Sequence, residues 1–208
     1  MRLFIIGFNK TGTTSLHEFF KKNNISSIHY DQGRIARKLK NNFRNNLPLL
    51  KDYPNYMVFS DMEDYKKLNY AHMDYFKELY YQYPDSKFIL NTRNLDNWIK
   101  SRNRHENGFY VKELCNLLKL NKDELNDRWI SDYYRHHINV KDFFKHKPSK
   151  LLVYDIEIDP IDKVVEFIPE YKLDTKYYEH LGKSTIIGFE RLFKKIMKNS
   201  KEMCNDNV

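Results

Sequence analysis

Lys10, Thr11, Gly12, Thr13, Thr14 and Ser15 place one cation, four hydroxyls and a glycine in six consecutive residues, shortly after the apolar run Leu3-Phe4-Ile5-Ile6. A strand that enters a tight turn and then a helix offers the helix's first N–H groups to an anion, because they have no acceptor within the helix. Gly7 and Gly12 have the G-x-x-x-x-G spacing of a phosphate loop, but Thr13 stands where a triphosphate-hydrolysing loop carries its lysine. The cation has moved to Lys10, inside the loop, against the end of a shorter anion. The pattern argues against ATP hydrolysis and for a cradle that takes a 5′-phosphate bearing one further group.

A second anion contact is offered by Arg93, which follows the apolar run Phe88-Ile89-Leu90 and Asn91-Thr92, and by Ser101 on the next predicted helix. An arginine fork and a hydroxyl converging from a strand end and a helix suit a second phosphate. For proton transfer the first candidate is Asp61, directly after the run Tyr56-Met57-Val58-Phe59-Ser60, with Glu63 second and His29 third. A free aspartate, with a pKa of about 3.9, is a weak base, and burial would strengthen it. His136-His137 lies on a predicted helix without a third metal ligand in pattern, so no metal site is expected.

These residues need a scaffold that brings strand ends together. Strands are expected at 2–7, 25–30, 56–60, 87–92 and 150–154, with helices at 13–23, 32–46, 70–83, 95–105, between about 110 and 146, at 160–168 and at 186–199. Short apolar strands separated by helices predict an α/β fold with a parallel sheet covered on both faces, and ligands beyond the carboxyl ends of its strands.

The 208 residues are expected to form one domain over 1–200, with a polar tail at 201–208. Cys115 and Cys204 show no disulfide or metal spacing, and no secretory leader or roughly 20-residue apolar span is seen, which predicts a soluble, cytoplasmic protein. The net charge of +8 admits an anionic partner; its short basic groups read as solvated helix faces, so nucleic acid is not expected, and the surface leans toward an acidic glycan as acceptor.

The stretch Lys10-Thr11-Gly12-Thr13-Thr14 resembles the K-x-G-T-T loop of the sulfotransferases that use 3′-phosphoadenosine 5′-phosphosulfate, and Arg93 with Ser101 is similar to their R-x7-S pair. Asp96-Asn97-Trp98 and Tyr83-Pro84-Asp85-Ser86-Lys87 look like the divergent branch with a G-x-x-K-x-G-T-T-S-L loop. The resemblance implies a three-layer, P-loop NTPase-like fold, a 5′-phosphosulfate held by Lys10 to Ser15, and a 3′-phosphate held by Arg93 and Ser101. It also implies an adenine near Tyr154 in Leu151-Leu152-Val153-Tyr154-Asp155, and cofactor closure by His180-Leu181-Gly182-Lys183-Ser184, with Lys183 a contact. Lys10 would be catalytic, the product nucleotide would be adenosine 3′,5′-bisphosphate, and no metal would be needed. The chain departs from the family's lysine-histidine pair after the third strand, where it reads Phe59-Ser60-Asp61-Met62-Glu63, so the base stays open among Asp61, Glu63 and a histidine. The acceptor would be a hydroxyl or amine of a small molecule or glycan. A nucleoside or nucleotide kinase and a non-catalytic nucleotide- or polyanion-binding relative are the alternatives on the same scaffold.

Overall fold

The computed structural model describes residues 1–181; the expected helix at 186–199 and Lys183 lie outside the described residues. In chain order the elements are β1 (Leu3–Ile5), α1 (Thr13–Lys22), β2 (Ser27–His29), α2 (Arg34–Arg44), β3 (Val58–Ser60), β4 (Glu63–Asp64), β5 (Asn69–Tyr70), α3 (Ala71–Asp74) and α4 (Phe76–Gln82). Then follow β6 (Lys87–Thr92), α5 (Leu95–Asn103), α6 (Phe109–Leu118), α7 (Lys122–Phe144), β7 (Leu151–Asp155) and α8 (Asp162–Phe167). Among the described residues no helix is long and apolar enough to cross a membrane.

Five strands form one parallel sheet in the order β2-β3-β1-β6-β7, an α/β architecture with helices on both faces. Strand β1 is central: Leu3 lies opposite Val58 on one side and Lys87 on the other. The pleat sends alternate residues to opposite faces. Phe4 and Ile6 join Phe59, Phe88 and Leu90 against α2, α4 and α7, while Leu3 and Ile5 join Val58 and Ile89 against α1 and α8. A strand buried on both faces must be apolar throughout, which is why β1 carries no alternation. Burying each large side chain is worth roughly 1.5–3 kcal/mol, so the two-sided core holds so short a strand in place.

The expected helix at 70–83 is broken at Tyr75 into α3 and α4. Its first residue, Tyr70, instead belongs to a small antiparallel ribbon, Glu63–Asp64 against Asn69–Tyr70, too short to leave a periodic signal. The expected helix at 32–46 starts later, at Arg34, because Tyr30, Asp31, Gln32 and Gly33 all take positive φ.

The turn after β1 is held from outside. Asn91, in the middle of the sheet on β6, accepts from Gly7 N at 2.7 Å and donates to Thr11 O at 3.1 Å and Thr11 Oγ1 at 2.6 Å. Thr11 in turn donates to Phe8 O at 2.5 Å. Trp98 Nε1 donates to Asn9 O at 2.9 Å, and His136 Nε2 donates to Ile6 O at 2.6 Å. A Cβ at Gly7 would lie 2.0 Å from Asn91 O, so no other residue fits beside this strand.

Asn91→Ala strands the Gly7 N–H and the Thr11 carbonyl in the core, and buried polar groups without partners cost roughly 1–3 kcal/mol each. The variant is expected to lose about 3 kcal/mol in urea unfolding. A loss below about 1 kcal/mol would show that the turn is held by something else.

Candidate active site

A cavity of about 210 Å³ lies beyond the carboxyl ends of the sheet, and all five strands deliver residues to it. Lys10 and Gly12 come from the turn after β1, His29 and Tyr30 from the end of β2, Asp61 from β3, Arg93 from β6 and Ile156 from β7. This is the place a parallel sheet reserves for ligands.

One wall is cationic and rich in donors. Gly12 caps α1 in the left-handed region, at φ 88°, with no side-chain cap on the helix and no acidic residue in its first turn. The first N–H groups of α1 are therefore left to a ligand, and Thr13 and Thr14 line the cavity beside them. Thr11 and Ser15, expected in the same role, are turned away. The Thr11 hydroxyl is engaged by Phe8 and Asn91, and Ser15 Oγ exchanges two 2.9 Å hydrogen bonds with the backbone of Leu181. That pair brings His180 and Leu181 onto the cavity rim.

Lys10 also takes a positive φ, 65°, and lines the cavity. Burial lowers its pKa and Arg93 adds to this, while Asp61 and Glu106 oppose it. Arg93 and the buried Ser101 line the same wall. The Arg93 guanidinium is held by Glu157, with Nε 2.8 Å and Nη2 2.7 Å from Oε1.

The other wall is acidic and aromatic. Asp61 sits at φ 52° immediately after β3, largely buried, with Oδ2 3.6 Å from His29 Nε2. Glu63 is buried, with Oε1 accepting from Asn9 Nδ2 at 2.6 Å and from Tyr110 Oη at 3.3 Å. Asp61 Oδ1 and Glu63 Oε2 are buried without a partner among the described residues. Burial pushes both carboxyls well above the usual range; Arg102 and Lys10 hold Asp61 back, while the Asp61 charge raises Glu63 further. The pair retains a proton where free carboxylates have lost theirs, which makes it a stronger base than a solvated aspartate. His29 is pushed down to about 4 by burial, and His105, across the cavity, to about 4 by burial and by Lys10 and Arg102.

Sequence reasoning missed Arg102, which neighbours Ser101 yet points into the interior. It is buried in a box of aromatic rings, 4.2 Å over Trp129 and 4.8 Å over Trp98, and it donates to Tyr110 Oη. Tyr110 then donates to Glu63, linking the buried cation to the acidic wall. The signal was present in the sequence as Trp98, Arg102, Tyr110 and Trp129 around one helix turn and its neighbours, but an arginine among basic neighbours reads as surface.

Tyr154, expected near an adenine, is fully buried in the core beside α1 and α8, its hydroxyl donating to Tyr178 Oη at 3.4 Å. Ile156, two residues on and on the same face, reaches the cavity in its place and packs against Gly12. His136 and His137 are engaged by Ile6 O, Tyr133 O and Thr92 Oγ1, and among the described residues no cluster of three or more His, Cys, Asp or Glu could hold a metal.

Residues 2–150 match the family model described as a sulfotransferase domain. The chain belongs to the sulfotransferase-domain family. The match takes in the Lys10 turn, Asp61, Arg93 and Ser101, and it ends before β7. A comparison with curated proteins gives no match. Membership supports sulfuryl transfer as the general activity of this sulfotransferase domain.

A carboxyl with a folded-state pKa above its unfolded value of about 4.3 binds more protons when folded, so its share of stability falls as pH climbs from there. Glu63→Gln removes that loss. The variant is expected to melt higher relative to the parent at pH 8.5 than at pH 5, read by thermal unfolding at both. A gap independent of pH would mean that the fold does not raise the Glu63 pKa.

Proposed function

We propose that this protein transfers a sulfuryl group from 3′-phosphoadenosine 5′-phosphosulfate to a hydroxyl of an acceptor, releasing adenosine 3′,5′-bisphosphate. The observation that carries the reading is the uncapped N-terminus of α1, with Lys10 beside it, in one cavity with Arg93 and Ser101. The donor carries two separated anionic groups, and this wall offers two separated sets of donors. The cofactor supplies an activated sulfuryl group; the chain supplies position and charge.

The N–H groups of α1 with Thr13 and Thr14 would hold the 5′-phosphosulfate. Lys10 would stabilise the negative charge that grows on the oxygen bridging sulfur and phosphorus as that bond breaks. Arg93 and Ser101 would anchor the 3′-phosphate, so that remote binding energy orients the sulfur. Asp61, backed by Glu63 and His29, would take the proton from the acceptor hydroxyl. Lys183 belongs to the same reading through the family resemblance, as a closing contact.

The opposite wall narrows the acceptor. Asp61, Glu63 and Glu106 line it together with Tyr30, Tyr65 and Tyr110. Carboxylates repel a polyanion at this range, and tyrosine faces suit a ring. A neutral or aminated sugar, or another ring-bearing hydroxyl compound, fits this wall; the acidic glycan suggested by overall charge does not.

The test is calorimetric titration with adenosine 3′,5′-bisphosphate, beside ATP with magnesium. Metal-independent binding in the micromolar range is expected, weakened on the order of 10²-fold by Arg93→Ala. With an acceptor in hand, Lys10→Ala is expected to lower kcat by roughly 10²–10³-fold. Preference for ATP with magnesium would replace this reading with a kinase, and no nucleotide binding would leave a non-catalytic scaffold.

A further inference from the structure

The Arg93 fork is already occupied by a carboxylate of the same chain. Glu157 Oε1 takes Arg93 Nε at 2.8 Å and lies 2.7 Å from Nη2, while Arg93 Nη1 is directed at Lys10 O, 3.4 Å away. Asn97 Nδ2 donates to both Glu157 oxygens at 3.2 Å, and Asn94 N, at the N-terminus of α5, donates to Oε2 at 3.2 Å. A guanidinium edge, a side-chain amide and a helix-terminal N–H are the donors that a phosphate also selects. Asn97 and Arg93 hold the Glu157 carboxyl below the usual range, although burial opposes this. The occupant is therefore an anion.

We propose that Glu157 is an internal stand-in for the donor's 3′-phosphate: the phosphate displaces it from Arg93, and Glu157 thereby sets donor affinity. This rests on the reading that the cavity takes 3′-phosphoadenosine 5′-phosphosulfate. With Nε and one Nη2 N–H on Glu157 and one Nη1 N–H on the turn, a 3′-phosphate takes the bidentate Nε/Nη2 edge of the fork only by taking the carboxylate's place. The arrangement allows it. Glu157 sits on a turn closed by Asp155 Oδ1, which accepts from Glu157 N at 2.9 Å, and the next side chain, Ile158, is 80 % exposed and packs against little. Partly exposed ion pairs are weak, so a dianion can replace a monoanion at this site. A nucleotide without a 3′-phosphate leaves Glu157 seated and is indifferent to it.

The experiment is calorimetric titration of the full chain and of its Glu157→Gln and Glu157→Ala variants with adenosine 3′,5′-bisphosphate and with adenosine 5′-phosphosulfate, which lacks the 3′-phosphate. Thermal unfolding of each variant confirms that it is folded. Both variants are expected to bind the bisphosphate roughly tenfold more tightly than the parent, with affinity for the 5′-phosphosulfate unchanged. Bisphosphate binding that is unchanged or weaker in folded variants overturns the proposal and makes Glu157 a support for Arg93, while the donor reading stands. If parent and variants bind neither nucleotide, the donor reading itself fails and this proposal fails with it.

Discussion

The site depends on one buried amide. Asn91 sits at the carboxyl half of β6, yet its side chain satisfies a donor on one side of the turn after β1 and two groups on the other, Gly7 N, Thr11 O and Thr11 Oγ1. A turn that holds Lys10, a residue other than glycine, at positive φ is costly to keep by itself. With Asn91, Trp98 and His136 fastened to it from three separate elements, it becomes part of the core. The same kind of fastening explains why the Thr11 and Ser15 hydroxyls do not line the cavity: Thr11 is a fastener, and Ser15, in the first turn of α1, holds the segment that returns at Leu181.

Opposite charges are then divided across one small space. The α1 terminus, Lys10 and Arg93 face Asp61, Glu63 and Glu106. Burying two carboxyls side by side would be prohibitive if both were ionised, and the fold answers in two ways. It lets the pair keep a proton, and it places Arg102 in an aromatic box behind them, where the rings favour a cation without screening its field as water would. Tyr110 connects that cation to Glu63, and Asn9 connects Glu63 to the turn. The proton-handling wall and the anion-binding wall are thus parts of one hydrogen-bonded structure.

The strand positions, the parallel sheet and the residues at the strand ends were legible in the sequence, because buried parallel strands leave continuous apolar runs and the residues that follow them stand out. Strand β6 was read to the residue, at Lys87–Thr92. The break at Tyr75 and the ribbon of β4 and β5 were not legible, since two-residue strands carry no period and their pairing is tertiary. For individual site residues, type and spacing gave Lys10, Thr13, Thr14, Asp61, Arg93 and Ser101 a place on the cavity, but could not tell an inward hydroxyl from an outward one at Thr11 and Ser15. Tyr154 shows the same limit. A tyrosine at a strand end can face ligand or core, and the face is decided by what packs there, here α1 and α8.

Lys10 is the residue on which the two walls meet. Its charge is felt by Asp61, which it holds toward the ionised form, and it feels Arg93 on the other side. An anion seated against the α1 terminus offsets the Lys10 charge, and by Coulomb's law the carboxyl that Lys10 had held down then binds a proton more tightly. Under the proposed function the donor therefore strengthens the base that its own reaction requires, and no contact between the donor and Asp61 is needed. The cation inside the turn, at a position that the triphosphate-hydrolysing pattern leaves open, is the sequence feature that makes this coupling possible.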